Sequence, residues 1–290
     1  MKTPDGKLEV VNAGFYGTVQ DLGRTGYGHW GIPAAGAMDQ QSYQLANHLL
    51  RNEPNAACLE LTMIGGEFLF HHPTTAVLTG APASIQVNQQ TVPINHVIEI
   101  AKGDRLKLSP VKSGCRMYLG VHGGFQTPSV LGSRSWYAGI TPHDRLQEGM
   151  HLPFSAATTQ PPRALAKVAM DDALFEDQKI EVYPGPEASE MGDTSFEKLF
   201  STDFHLSAKQ NRMGIQLEEK IENQLQEILT SPVYPGTVQL TPGGKTMILM
   251  KDAQVTGGYP RILQLTEQGI SCLSQKKQGD KIRFILINEW

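Results

Sequence analysis

Thr246-Met-Ile-Leu-Met250 runs through Lys251 into Asp252-Ala-Gln-Val-Thr-Gly-Gly-Tyr-Pro-Arg261. The first run is short and apolar, so it reads as a buried strand. What it delivers is a rigid turn. Gly257 and Gly258 permit either positive φ or a close approach of the main chain to another group. Pro260 fixes its own φ and removes a donor. Around the turn stand Asp252, Thr256, Tyr259 and Arg261, which offer a carboxylate, two hydroxyls and a guanidinium. Binding residues concentrate on loops held by a rigid scaffold, although a tight hairpin with solvated polar groups would read the same locally.

The same strand-and-turn grammar extends along the chain. Strand-like runs occur at Leu8–Val11, Phe68–Phe70, Ala76–Leu78, Val97–Ile100, Arg105–Leu108, Arg116–Val121, Lys179–Val182, Thr237–Leu240, Met247–Met250 and Lys281–Ile287. Gly, Pro, Asn or Asp punctuates most of them, as in all-β sandwiches and barrels. Gly17-Thr-Val-Gln20 returns as Gly236-Thr-Val-Gln239, and Gly103-Asp104 and Gly279-Asp280 each precede a strand. These echoes point to two related barrels rather than one long sheet, so the expected class is mainly β with a few short helices. A chain of 290 residues has a prior of about two domains. We place them at 1–165 and 166–290, with Phe154–Lys167 as the linker candidate because Ala, Thr, Gln and Pro dominate it.

Three helices are expected. Asp39 caps Gln40–Arg51, where Tyr43, Leu45, Ala46, Leu49 and Leu50 form an apolar face. Thr194 with Glu197 makes a capping-box pattern ahead of Phe196, Leu199 and Phe200. Gln216–Leu229, rich in Glu, Gln and Leu, reads locally as helix. Gly17-Thr-Val-Gln-Asp-Leu-Gly-Arg-Thr-Gly26, continuing through Gly28, Gly31 and Gly36 to Asp39, sets Asp21, Arg24 and Asp39 among many glycines. Either a ligand-wrapping backbone or a glycine-rich barrel corner would produce that composition.

Composition removes several functions. The formal net charge is −4, so no basic field recommends nucleic acid as a partner. Cys58, Cys115 and Cys272 are far apart in apolar or small-residue settings and form neither a metal-ligand spacing nor a disulfide framework. The N-terminus has no apolar signal core and no run reaches membrane-spanning length, so a cytoplasmic protein is expected. Thr241-Pro-Gly-Gly-Lys-Thr246 ends like a phosphate loop, but Gln239 stands where the first glycine should be, and an apolar strand follows. The segment reads as a turn. Leu131-Gly-Ser-Arg-Ser-Trp136 lacks the nucleophile-elbow glycines, which leaves His122-Gly-Gly124 as a strand end. His71-His72 before Pro73 reads as a solvated pair in a turn, and no metal site is expected. Leu249-Met-Lys-Asp252 is no biotin-attachment hairpin.

Taken in order, these stretches resemble a known family. They are Gly17-Thr-Val-Gln-Asp-Leu-Gly-Arg24, Gly36-Ala-Met-Asp39, Ala46-Asn47, Leu59-Glu60, Thr79-Gly-Ala81, Leu131-Gly-Ser-Arg-Ser135, Arg212-Met-Gly214, Pro235-Gly-Thr-Val-Gln239 and Thr256-Gly-Gly-Tyr-Pro260. The series is similar to that of the biotin-dependent carboxyltransferase-like family. That family includes the C subunits of bacterial ATP-dependent 5-oxoprolinases, the second allophanate-hydrolase-type subunits, Kip-type kinase regulators and the carboxyltransferase part of urea carboxylase. The resemblance runs from about Val10 to Phe284.

What the resemblance implies is specific. The fold would be two cyclophilin-like β-barrels. The activity would be ATP-dependent opening of 5-oxo-L-proline to L-glutamate, by a hydrolase subunit active only with partner subunits A and B, and with B most directly. ATP would be the nucleotide, bound with those partners, and no biotin would be attached to this chain. A Kip-type regulatory module and a carboxyltransferase or allophanate-hydrolase-like subunit are the alternatives. Catalytic roles fall to Arg24, Asp39, Asp252 and Arg261. Substrate contacts fall to Asn47, Glu60, Arg134, Arg212, Thr256, Gly257, Gly258 and Tyr259. Arginine's planar fork suits a carboxylate or phosphate. The competing structural reading pairs Arg24 and Arg134 with Asp39 and Glu60 as buried loop-holding ions, and makes Glu60, just ahead of a strand, a partner for backbone amides. Arg24 and Asp39 are expected to line one cleft with the Asp252–Arg261 turn.

The chain also departs from its relatives. Asn211 stands where Asp usually precedes Arg-Met-Gly, and Val255 where a second Thr is usual. Trp136-Tyr-Ala-Gly-Ile-Thr-Pro-His143 replaces a glycine-rich stretch.

Overall fold

The computed structural model describes residues 6–156 and 173–287. The chain divides into two compact units. One takes in the described residues of Met1–Arg24 and Ala35–Asp172, the other those of Thr25–Ala34 and Ala173–Trp290. A ten-residue piece of the glycine-rich N-terminal stretch is thus grouped with the C-terminal half. Of the linker candidate, Phe154 ends a strand, and residues 157–167 lie outside the described residues, as does the boundary placed at 165.

The first unit is built on two sheets. The six-stranded sheet runs His151–Phe154, Gly6–Asn12, Glu67–Phe70, Arg105–Leu108, Ile85–Val87, Gln90–Val92. Its neighbours pair antiparallel. Gly6, Leu8 and Val10 are buried while Lys7 and Glu9 between them are part-exposed, the period-two alternation of a sheet with one covered face. The five-stranded sheet runs Tyr16–Gln20, Cys58–Thr62, Arg116–Val121, Thr74–Gly80, Ile98–Ile100. Thr74–Gly80 and Arg116–Val121 are buried at every residue. One reason is the helix Gln40–Leu50, whose Tyr43, Ala46, Leu49 and Leu50 pack with Cys58, Val77 and Tyr118. Asp39 caps that helix as expected, accepting the Ser42 amide at 3.0 Å.

The second unit is a closed seven-stranded barrel in the order Lys179–Pro184, Arg261–Leu265, Thr237–Leu240, Lys245–Leu249, Gly214–Lys220, Phe204–Gln210, Lys281–Leu286. Parallel pairing of the first with the last closes it. Closure leaves no open edge to aggregate. Thr241–Gly244 is the hairpin turn between two barrel strands, as the failed phosphate-loop pattern implied.

Four local expectations need correction. Gln216–Leu229 is not a helix: Gly214–Lys220 is a barrel strand between Phe204–Gln210 and Lys245–Leu249, and residues 221–229 carry no regular structure. The buried Ile215 and Leu217 alternate with more exposed neighbours, so ladder pairing and burial override the helical propensity of Glu, Gln and Leu. The second helix exists at Asp193–Ser201, but its N-cap is Gly192, which puts Thr194 inside the first turn and dissolves the capping box. Glu60 lies within the strand Cys58–Thr62 rather than before one. His71 is not half of a solvated pair, since its Nε2 lies 2.7 Å from Glu9 Oε2. The helix Glu267–Ser274, capped by Thr266 on Gly269 N–H, was not anticipated.

Candidate functional site

The quoted motifs assemble into two loci, one in each unit. In the first, the strand Tyr16–Gln20 runs into a tight loop whose first residue, Asp21, is 1% exposed. Its Oδ1 accepts from the hydroxyls of Ser133 and Ser135, both at 2.6 Å, and from Gly23 N–H at 2.8 Å. Its Oδ2 accepts from Arg134 N–H at 2.6 Å. One carboxylate thus binds Gly17–Arg24 to Leu131–Ser135 across more than a hundred residues of sequence. Arg24, also buried, donates to Ser135 O. Arg134 donates to Thr127 O and, at 3.0 Å, to Gln126 Oε1.

A second carboxylate holds the Gly36–Asp39 segment. Glu60 Oε2 accepts from Met38 N–H and from Tyr118 Oη–H, each at 2.8 Å, and Arg116 Nε lies 3.7 Å from its Oε1. Tyr118 Oη accepts in turn from Asp39 N–H at 2.8 Å. Burial pushes the Tyr118 phenol well above its usual range, helped by the Glu60 charge beside it, so it stays a neutral donor. The Asp39 carboxylate spans Ser42 N–H and Ser42 Oγ–H, and Thr79 donates to Ser42 O at 2.6 Å. Asn47 donates to Ala56 O at 2.9 Å. Asp39, Asn47 and Glu60 are therefore closed to solvent. Glu60 does serve a backbone amide, as the structural reading held. Gly36 has φ +94°, and a Cβ there would lie 2.9 Å from Leu22 O, so this bend excludes any side chain.

The second locus surrounds the Thr256–Tyr259 turn. Thr256–Gly257 forms a two-residue ladder with Ser231–Pro232. Gly257 leaves room for Gln239: a Cβ there would fall 2.5 Å from Gln239 Nε2 and would displace that amide. Buried Gln239 donates to Tyr259 O at 3.3 Å. Gly258 O accepts from Ile228 N–H at 2.9 Å. Thr256 and Tyr259 are exposed, while Asp252 is buried. Asp252 meets Arg212 in a two-pronged pair, Nε–Oδ2 at 2.8 Å and Nη2–Oδ1 at 2.9 Å. Asn211 Oδ1 accepts from Met213 N–H at 2.7 Å and Gly214 N–H at 3.1 Å. The departure from Asp therefore keeps the turn acceptor and loses only its charge.

Arg261 ties the ladder of this turn to Glu187. It donates through Nε and Nη2 to Glu187, at 2.9 and 2.6 Å, and through Nη1 to Pro232 O at 3.0 Å. Hydrogen bonds from the Arg261 guanidinium hold the Glu187 carboxyl below its usual range. Asp21, Ser133, Ser135, Tyr118, Gln239 and Glu187 were not among the site residues expected from sequence. Asp21, Ser133, Ser135 and Gln239 lie inside the quoted motifs, whereas Tyr118 and Glu187 lie in none of them. Of the stretch that departs from the relatives, Trp136 is buried, donates its backbone N–H to Val19 O at 2.9 Å, and stacks at a tilt on the exposed His143, 5.4 Å between centroids.

The family described as carboxyltransferase domain, subdomain A and B, matches residues 30–286, and the chain belongs to it. Among individual proteins, it is 34% identical to the C subunit of 5-oxoprolinase from Escherichia coli strain K12, over 96% of this chain and 90% of that one. Urea amidolyase of Lachancea kluyveri is 31% identical over 97% of this chain, which spans only 17% of that protein. The solved urea amidolyase of K. lactis superposes with a TM-score of 0.88 at 28% identity, over 99% of this chain and 19% of that one. Among the described residues, no helix is long and apolar enough to cross a membrane.

Proposed function

We propose that this chain is the C subunit of an ATP-dependent 5-oxoprolinase, a hydrolase that opens 5-oxo-L-proline to L-glutamate together with subunits A and B in the cytoplasm. The observation that carries the reading is the length of the match. The E. coli 5-oxoprolinase protein aligns with this chain over 96% of this chain and 90% of its own length, whereas the matching region is a small part of a larger protein in a urea amidolyase. In this reading both units are of the cyclophilin-like type, the second as a closed barrel and the first as a six-stranded and a five-stranded sheet.

A lactam is a stable amide, so its opening needs an activated oxygen. The γ-phosphoryl group of ATP moves to the lactam oxygen and ADP departs. Water adds to the ring carbon, the C–N bond breaks, and the nitrogen leaves as the amine of glutamate. A second water releases phosphate. Fixed donors aimed at the developing charge would lower the barrier most.

The groups of this chain that reach solvent for such chemistry are Thr256, Tyr259 and the backbone of Gly257 and Gly258. Arg212 and Arg261 already have carboxylates in their forks. A phosphate on either would have to displace an internal partner, which favours the view that ATP phosphates are held mainly by the partner subunits. Arg24, Arg134, Asp39, Asn47 and Glu60 then act by positioning the loops that carry other contacts.

Mixing the chain with A and B subunits and 5-oxoproline should release ADP and glutamate in equal amounts, with neither formed when this chain is omitted. No turnover where a control trio works would overturn the proposal. Carboxyl transfer is the second reading, favoured by the urea amidolyase superposition. It requires a separate biotinylated protein, because this chain carries no attachment hairpin, and it would appear as biotin-dependent turnover without glutamate.

A further inference from the structure

Three side chains far apart in sequence meet on the outer face of the six-stranded sheet. Glu9 and His151 are direct cross-strand partners on neighbouring antiparallel strands. His71 follows the strand Glu67–Phe70 on the other side, tied by its N–H to Lys7 O at 2.9 Å. Leu8, Val10, Phe70 and Leu152 fill the opposite, buried face. Alternation therefore sends Glu9 and its two imidazoles outward together. His71 Nε2 lies 2.7 Å and His151 Nε2 3.7 Å from Glu9 Oε2, and one ligand atom from each residue falls within 4.8 Å of the other two. The two rings sit 6.0 Å apart, tilted by 51°.

We propose that Glu9, His71 and His151 form a binding site for a divalent transition-metal ion, zinc above all. A tetrahedral centre with metal–ligand bonds of about 2.0–2.2 Å places its ligand atoms about 3.4 Å apart. The 2.7 and 3.7 Å separations bracket that value. Rotations of three half-exposed side chains make up the difference without moving a strand. Two imidazoles and one carboxylate suit zinc, copper or nickel far better than magnesium or calcium, which prefer oxygen donors. Three protein ligands leave a fourth position for water.

Lys7 shares the face and adds positive charge, which moderates affinity without occupying a ligand position. The site joins three neighbouring strands of the first unit, so an ion there would staple the N-terminal strand between its two partners. No ligand-spacing pattern could reveal it, because the three residues lie 62 and 80 positions apart along the chain. Among the described residues this is the cluster of His, Cys, Asp and Glu that gathers three ligand atoms so closely.

The test is a titration of tag-free, chelator-stripped protein with zinc(II) against a chromophoric chelator, alongside thermal melts. One equivalent should bind, with a rise in Tm that millimolar magnesium does not reproduce. Loss of an outer-shell partner already weakens metal sites by about 10–100-fold, so Glu9→Gln and His151→Gln should each weaken zinc by at least about tenfold. His96→Gln, at a histidine whose Nδ1 faces Ile94 O, should bind like the wild type. Melts of the metal-free variants establish that they fold. Should either fail to fold, cobalt(II) absorption of the wild-type protein supplies the second measurement, with tetrahedral bands expected. Wild-type protein that takes up no zinc, variants that bind as tightly as wild type, or cobalt spectra lacking nitrogen ligation would overturn the site.

Discussion

The two loci solve the problem of a buried carboxylate in opposite ways. In the first unit, Asp21, Asp39 and Glu60 are surrounded largely by neutral donors: serine hydroxyls, a phenol and backbone amides. In the second, Asp252 and Glu187 face arginine forks directly. Neutral donors fix a carboxylate in one geometry, and each bond lost leaves a stranded partner. An arginine fork holds its carboxylate through two charge-assisted bonds at once, and both forks are filled here. The first locus reads as scaffold, and in the second the groups left open to a ligand in the proposed function are the exposed Thr256 and Tyr259.

The comparison can be broken at its strongest point first. Asp21→Ala strands the two serine hydroxyls and the amides of Gly23 and Arg134. At about 1–3 kcal/mol for each buried unsatisfied group, the loss should approach about 5 kcal/mol. Urea unfolding should show it as a lower midpoint with an unchanged slope. A midpoint close to wild type would remove the scaffold role.

Next is the buried pair of the second unit. Asp252→Ala leaves Arg212 buried without its carboxylate and should cost about 3–5 kcal/mol. Replacing both partners, as in Arg212→Met with Asp252→Leu, should recover much of that stability, since two apolar groups need no partner. Failure of the double change to recover stability would show that the arginine serves more than this ion pair.

Glu187→Gln should have a smaller, pH-dependent effect of about 1–2 kcal/mol at neutral pH. The folded carboxyl sits below its ordinary value because Arg261 bonds to the charged form. Its contribution is thus complete above the unfolded value of about 4.3 and is lost as pH falls through the folded one. The gap between variant and wild type should close in acid. A gap that is constant with pH would mean that the ionised form is not what stabilises.

How much of this was legible in the sequence follows from the range of the interactions. Arg105–Leu108, Arg116–Val121 and Thr237–Leu240 carry their strand signal within themselves, and they occur where expected. So does the helix Gln40–Leu50, because Asp39 and the apolar spacing are local. Gly214–Lys220 misleads because its Glu, Gln and Leu content favours helix, while its fate depends on two strands elsewhere in the barrel. Glu267–Ser274 hides behind Gly269, which stands where a Cβ would lie 2.7 Å from Glu181 O. The helix needs that glycine to pack, though propensity counts it as a breaker. The functional motifs were visible as an ordered series, but not as contacts. Asp21 finds its serines 112 and 114 residues away, and Arg261 finds Glu187 at 74.

The smallest effect on stability belongs to the exposed tip, where Thr256→Ala and Tyr259→Phe should each change it by less than about 0.5 kcal/mol. The decisive measurement is therefore the kcat/KM for 5-oxoproline of these two variants in the assembly with subunits A and B, with the unfolding midpoint of each variant measured in parallel. Loss of a charge-assisted ligand bond should lower it at least about tenfold while the midpoint stays at the wild-type value. Full activity in both variants would contradict the account, since the exposed turn of the second unit would then have no part in the reaction.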